Sequence, residues 1–362
     1  MALITTPAIA ARLQEMQGDI NGYIPTTATG AARRKKIGYL EYLSSSLNTL
    51  ELNRSYQDQS QDGEYRGVTL KYFPRISDGV VTDDPAASDC SKGPEWQRGI
   101  VSTAPTLYVE AKATIENEYM RQVIEGNVSH QDFIQDHFLQ YSRALRTNIN
   151  QKLLAAAGGA IGTNVPNIAV AGAYVDVELL DANGVPKPTM YMKIQNDMED
   201  MGYNEGGAIF GLGKYRNYLQ QLDIGAANDA GQDLGQVLEK SEGVPFFKDQ
   251  TATTALAGAD RVLVQTPGVA QYYTYNMNRG RFADVIGDTV YGTMPDPEIA
   301  TIDYDYTLMW DKNCASGGRQ GAWTIKWWLY FDLFVIPAAL NGTDAFVNGT
   351  TGLFGYNVTQ AV

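Results

Sequence analysis

Residues 129–159 read SHQDFIQDHFLQYSRALRTNINQKLLAAAGG, and this stretch sets the fold class. Ser129, with Asp132 three residues on, makes a cap resembling the capping box, and the acid suits a helix N-terminus. Phe133, Ile134, His137, Phe138, Tyr141, Leu145, Ile149 and Leu153 then recur at helical spacing until Gly158-Gly159. Roughly 28 residues of helix span about 42 Å. That is long for a globular helix and suits a spine against which other elements pack.

Downstream, the pattern changes to period two. Ile302, Tyr304, Tyr306, Leu308 and Trp310 share one face of a strand, and Trp323, Ile325, Trp327, Leu329, Phe331, Leu333 and Val335 share one face of the next. Between them DKNCASGGRQG (residues 311–321) is a glycine-containing loop that suits an antiparallel pairing. Both strands exceed the usual five or six residues. Residues 166–295 alternate helices and strands. Asn183-Gly184 is a hairpin signal. Met190, Ile194, Met198 and Met201 form a helical stripe, Gly207–Gly211 reads as a short buried strand, Lys214–Leu222 as a helix and Val262–Gln265 as an apolar strand. The class expected is α+β.

Upstream, residues 1–60 read as an arm with two short helices. Thr6 caps the first, Pro7 opens it and Gly18 stops it. The second places Ile37, Leu40, Leu43, Leu47 and Leu50 on a narrow stripe. A strand from Gly67 to Phe73 leads into ISDGVVTDDPAASDCSKGPEWQRG (residues 76–99), rich in Asp, Ser, Gly and Pro. So long a loop with so little core is expected either to be disordered or to be an arm that packs on something else. Leu107, Val109, Ala111, Ala113 and Ile115 then alternate, as a strand returning along it.

Composition narrows the function. The 362 residues carry 28 basic and 41 acidic side chains for a net charge of −13, with +1 in residues 1–60 and −14 beyond. Such acidity excludes a reader of nucleic-acid phosphates. Two cysteines (Cys90 and Cys314) and two histidines (His130 and His137) exclude a disulfide framework and nearly all zinc chemistry. The N-terminus lacks the basic and apolar regions of a secretory signal, so the compartment expected is reducing. The longest apolar run, Phe331–Leu340, is about half a membrane span and contains Asp332 and Pro337.

Candidate chemistry is thin. Asp303 and Asp305 lie on one face of a strand, about 6.7 Å apart by strand rise, a separation that could flank a glycosidic bond. The competing reading makes them, with Thr307, the solvated face opposite the aromatic one, and it is preferred. His137 lies in the apolar stripe of the long helix and His130 in its first turn. Gly158-Gly159-Ala160-Ile161-Gly162 follows a helix, the wrong context for a dinucleotide site. Gly211-Leu212-Gly213-Lys214 opens a helix but lacks the spacing of a phosphate loop. Arg33-Arg34-Lys35-Lys36 is too small a patch for nucleic acid. No catalytic, cofactor or metal constellation is expected.

The order of elements is more informative. MKIQNDMEDMGYNEGGAIFGLGKYRNYLQQL (192–222), RVLVQTPGVAQYYTYNMNRGRF (261–282), GDTVYGTMPDP (287–297), YDYTLMWDKNC (304–314) and WTIKWWLYFDLFVIP (323–337) fall in turn after the arm, loop and long helix. This order resembles the major capsid protein of tailed bacteriophages, with the Hong Kong 97-type fold. The resemblance implies an N-terminal arm (1–60), an extended loop (61–110), a peripheral domain with a spine helix (111–165), an axial domain (166–295), returning peripheral strands (296–340) and a C-terminal tail (341–362). It implies a structural protein and not an enzyme, without cofactor. Its partners would be further copies of itself in hexamers and pentamers, with scaffolding, portal and decoration proteins. Packaged double-stranded DNA would be enclosed without sequence-specific binding, and no membrane is involved. The place implied is the virion, assembled in the host cytoplasm. Lys71 and Lys92 lie where some members crosslink, but no matching motif accompanies them. An encapsulin-like compartment shell shares the fold, and a glycoside hydrolase using Asp303 and Asp305 is the alternative from another class.

Overall fold

In the computed structural model the described residues are 35–45, 55–56, 68–72, 99–115, 130–161, 174–180, 182–183, 189–200, 207–217, 245–258, 260–278, 284–286, 289–299, 301–311, 322–335 and 352–360. The expected first arm helix, most of the long loop and the glycine-containing loop before Ala322 lie outside them. The chain runs through α1 (Gly38–Ser45), β1 (Ser55–Tyr56), β2 (Val68–Tyr72), β3 (Gly99–Thr103), β4 (Leu107–Ile115) and α2 (His130–Gly159). It continues through β5 (Val175–Leu180), α3 (Thr189–Asp200), β6 (Ala208–Gly211), β7 (Phe246–Lys248), α4 (Ala252–Ala255), β8 (Arg261–Gln265) and β9 (Ala270–Tyr275). Then follow β10 (Asp284–Ile286), β11 (Thr289–Pro295), β12 (Asp303–Asp311), β13 (Ala322–Val335) and β14 (Leu353–Gln360). The class is mixed α+β, and the chain forms two compact units, each assembled from separated segments.

The first unit takes residues 105–149 and 273–332. Its six-stranded sheet has the antiparallel order β10-β11-β12-β13-β4, with β9 also paired to β13. The alternation in the sequence is realised in β12 and β13: Ile302, Tyr304, Tyr306, Leu308, Leu329 and Phe331 are all fully buried. Each such side chain contributes about 1.5–3 kcal/mol by leaving water. Helix α2, 30 residues long, covers this face. Phe138 and Tyr141 meet Trp327 at ring-centroid distances of 6.0 and 5.3 Å, the second pair stacked. Leu145 and Ile149 continue the buried stripe a turn apart. The strand expected to return along the long loop is different from the one observed. Leu107–Ile115 pairs with β13, from Leu107↔Phe331 to Ile115↔Trp323. The return partner of β2 is β3, in the register Val68↔Thr103 to Tyr72↔Gly99. Three residues separate β3 from β4, so the chain passes from one sheet to another between them and the alternating run belongs to the second.

The second unit takes residues 35–104, 150–272 and 333–362. Its mixed sheet has the order β5-β14-β8-β6-β7, with β14 parallel to β5 and antiparallel to β8. Met190, Ile194 and Met198, the stripe expected on one helix, pack from α3 onto Val175, Val177, Val262, Val264 and Tyr356. The hairpin expected at Asn183-Gly184 falls largely outside the described residues, and the partner described for β5 is the parallel strand β14. Residues 353–360, read from sequence within a polar tail, form an interior strand with Leu353, Phe354 and Tyr356 buried. Gly352 enters that strand at φ 73°, where a side chain would be strained.

Candidate functional site

The chemical groups of the two units are concentrated in buried carboxylates, of which Asp296, Asp305 and Asp249 each close a turn or cap an element. In the first unit, Asp296 sits in the Pro295-Asp296-Pro297-Glu298 corner between β11 and β12. Its Oδ1 accepts the backbone N–H groups of Glu298 (2.8 Å) and Ile299 (2.9 Å), and its Oδ2 accepts the Tyr304 hydroxyl at 2.9 Å. Arg146, from α2, places its Nε 3.2 Å from Asp296 and its Nη1 against Glu298. Asp296 and Arg146 are each 3% exposed, so the pair is desolvated. Burial raises the Asp296 carboxyl above its usual range although Arg146 lies beside it.

Asp305 makes a second lock in that unit. One oxygen accepts Met277 N–H at 2.7 Å and the other accepts Asn278 N–H at 3.0 Å, while Asn276 donates to the Asp303 carbonyl at 2.6 Å. Asp305 is fully buried. Burial pushes its carboxyl up to about 6, against the pull of the two amides. This corrects the reading that Asp303, Asp305 and Thr307 share a solvated face. Asp303 is exposed and Asp305 is not, because the turn after β9 folds over it. A carboxylate covered by its own chain cannot flank a sugar.

In the second unit the acceptor is Asp249. It takes Tyr39 N–H (3.1 Å), the Asn150 side-chain amide (2.8 Å), Thr251 N–H (2.8 Å) and the Thr251 hydroxyl (2.7 Å). Asn150 in turn accepts Leu40 N–H at 2.8 Å. The first turn of α1 therefore has its orphan amides satisfied by side chains more than a hundred residues away. Gly38 permits the approach, since a Cβ there would lie 2.7 Å from the Lys248 carbonyl oxygen. The remaining buried acid, Asp197, accepts the Tyr356 hydroxyl at 3.1 Å.

The other residues singled out from sequence do not converge. His130 and His137 fall within α2, but their side chains lie outside the described residues. So do Cys90, Cys314, Lys92 and the Lys71 side chain. Lys214 reaches Asp260 at 2.7 Å, joined by the Tyr215 hydroxyl at 2.7 Å, so the glycine turn there closes on a surface ion pair. On the exposed face of the first sheet, Lys326 lies 2.7 Å from Glu110, and Thr106 binds Asp332 through its N–H (3.0 Å) and hydroxyl (2.7 Å). Among the described residues no three acids, histidines or cysteines gather to hold a metal. Sequence reading missed Arg146, Asp249 and Asn150. For Asp296 there was a signal: Asp-Pro is a turn initiator.

No family model matches the chain, and no curated protein matches it. Solved structures do. The chain is similar to the capsid of Myoviridae phage XM1 at 11% identity and a TM-score of 0.43, covering 83% of this chain and 88% of that one. The capsid of a native GTA particle is similar at 11% identity and a TM-score of 0.44, with 96% and 99% covered. A chain of Mycobacterium phage Che8 is similar at 11% identity and a TM-score of 0.43, with 84% and 89% covered.

Proposed function

We propose that this chain is the major capsid protein of a tailed bacteriophage, a structural subunit with the Hong Kong 97-type fold and no enzymatic activity. One observation carries the reading. Residues 130–149 of a 30-residue helix of about 45 Å lie along an antiparallel sheet whose longest strand has 14 residues, in a unit distinct from the one that holds a second, mixed sheet and the last ten residues of the helix. In this reading α2 is the spine helix of a peripheral domain, and β4 and β10–β13 are that domain's strands, so residues 284–295, read from sequence as axial, go with the peripheral strands because β11 pairs with β12. The sheet of β5–β8 and β14 belongs to the axial domain, and β2 and β3 are the stem of an extended loop. The buried carboxylates support it: each one described is engaged by backbone amides, side-chain amides, hydroxyls or Arg146. The subunits would tile hexamers and pentamers around double-stranded DNA, which an acidic wall would not hold by adhesion.

Static light scattering and negative-stain microscopy of the purified protein test this. Capsomers or megadalton shells are expected. A stable 39.6 kDa monomer that cleaves glycans would overturn it.

A further inference from the structure

Asn183 is exposed, in a turn just beyond the end of β5. Gly184 follows it, and among the described asparagines only Asn183 precedes glycine. Asn341 and Asn348 also precede glycine and lie outside the described residues. Asparagines elsewhere in the described chain are held. Asn148, Asn150 and Asn196 lie within α2 and α3, where the following amide donates along the helix. After Asn276 the next nitrogen, that of Met277, donates to Asp305 at 2.7 Å, and after Asn357 that of Val358 donates to the Asp260 carbonyl at 2.6 Å.

An asparagine side chain is long enough to meet the backbone nitrogen of the next residue in a five-membered ring. Closing that ring needs a nitrogen that is uncrowded and reached by water. Glycine has no Cβ to crowd it, and it gives the main chain the freedom to bring the two groups together. An asparagine in a turn folds its amide back toward the main chain that follows.

We propose that Asn183 is a site of spontaneous covalent modification, deamidated through a cyclic imide formed with Gly184. Hydroxide removes the Gly184 amide proton, and the nitrogen bonds to the side-chain carbonyl carbon of Asn183. The carbon–nitrogen bond of the carboxamide then breaks, and ammonia leaves with a proton from water, which restores the hydroxide. Water opens the ring at either carbonyl, giving an aspartyl residue or an isoaspartyl one. The sum consumes one water and releases one ammonia, with no change in oxidation state. Both products carry a new carboxylate, ionised at neutral pH, and the isoaspartyl form also lengthens the main chain by a methylene. The change falls in the connection between β5, which ends at Leu180, and α3, which begins at Thr189. Val177, Leu179, Met190 and Ile194 anchor that strand and helix in the core on either side, so the sheet is expected to stay intact. On the capsid reading, a subunit built into a particle is not replaced, and the modified fraction then records the particle's age.

The test is incubation of the full-length protein in heavy-oxygen water, followed by digestion and peptide mass spectrometry. The label separates conversion in the folded protein from conversion during digestion, and electron-transfer fragmentation separates isoaspartate from aspartate. The modified fraction at Asn183 should grow with time, faster in mildly alkaline than in mildly acidic buffer, with isoaspartate the larger share. Its rate should exceed those at Asn148, Asn150, Asn196, Asn276 and Asn357 by at least about tenfold, because a nitrogen held in an element reacts only after local opening. Gly184→Val should slow conversion, and Asn183→Asp, which supplies the charge from the start, should keep the wild-type urea midpoint. Conversion at Asn183 no faster than at the held asparagines would overturn the proposal. So would aspartate without isoaspartate, the mark of direct hydrolysis, or a rate indifferent to Gly184→Val. Conversion is read on subunits whether or not they assemble, so its failure and that of the capsid reading are told apart.

Discussion

A buried ion is only as stable as the partners that replace its water. Asp296 has three donors and a guanidinium within reach, and Arg146 has Asp296 and Glu298. Replacing Asp296 with alanine would strand the Arg146 charge with one partner and leave two turn amides unmatched. We expect Asp296→Ala to lower stability by about 3 kcal/mol, read as the shift in urea midpoint at constant slope. A loss under 1 kcal/mol would show that Glu298 alone suffices. At this scale the sequence was half legible. The Asp-Pro step at Asp296 carries a turn signal that the sequence reading did not use, and nothing near Asp305 announced its burial. Its partners lie 27 and 28 residues upstream, and period-two patterning describes one sheet surface without saying what folds over it.

Elements whose burial is decided by their own spacing were readable in advance. Phe138, Leu145, Ile149 and Leu153 on α2, Tyr304, Tyr306 and Leu308 on β12, Ile325, Trp327, Leu329 and Phe331 on β13, and Met190, Ile194 and Met198 on α3 are buried as their periods require. β14 was not readable. Its residues LFGYNVTQ mix glycine and amides with apolar groups, because it is buried on both faces and its polar groups have distant partners. Asn357 meets Asp176 at 3.0 Å and Arg261 at 3.3 Å, and Thr359 meets the Val177 carbonyl at 3.3 Å. Deleting residues 353–362 would expose the facing edges of β5 and β8 and remove Phe354 and Tyr356 from the core. Limited proteolysis should then cut within 174–272 while leaving 105–149 protected. Unchanged resistance throughout would mean that the sheet closes without its interior strand.

For the whole molecule, the segment between β2 and β3 is the expected point of contact with other copies. It leaves the β2–β3 pair, in register over five residue pairs, and carries few apolar side chains of its own. Removing residues 75–100 should give a soluble subunit that forms no shells, checked by size exclusion and negative stain. Shells of unaltered size would remove the loop from the assembly. The charge asymmetry read at the outset, +1 in the first sixty residues against −14 beyond, belongs to this scale as well. On the proposed reading it bears on what a shell wall would repel, and it says nothing about fold.

The interleaving of segments between the two units has a consequence for how the protein is made. A ribosome that has delivered residue 300 has delivered β5 and β8 but not the strand that lies between them, and it is still partway through the first unit. Neither unit can close before the other is well begun. Folding therefore depends on contacts of high sequence separation formed late, which are slow and leave strand edges open in the meantime. A chain halted anywhere before residue 353 lacks a closed second sheet. Quality control of the subunit is thereby built into the order in which its strands appear.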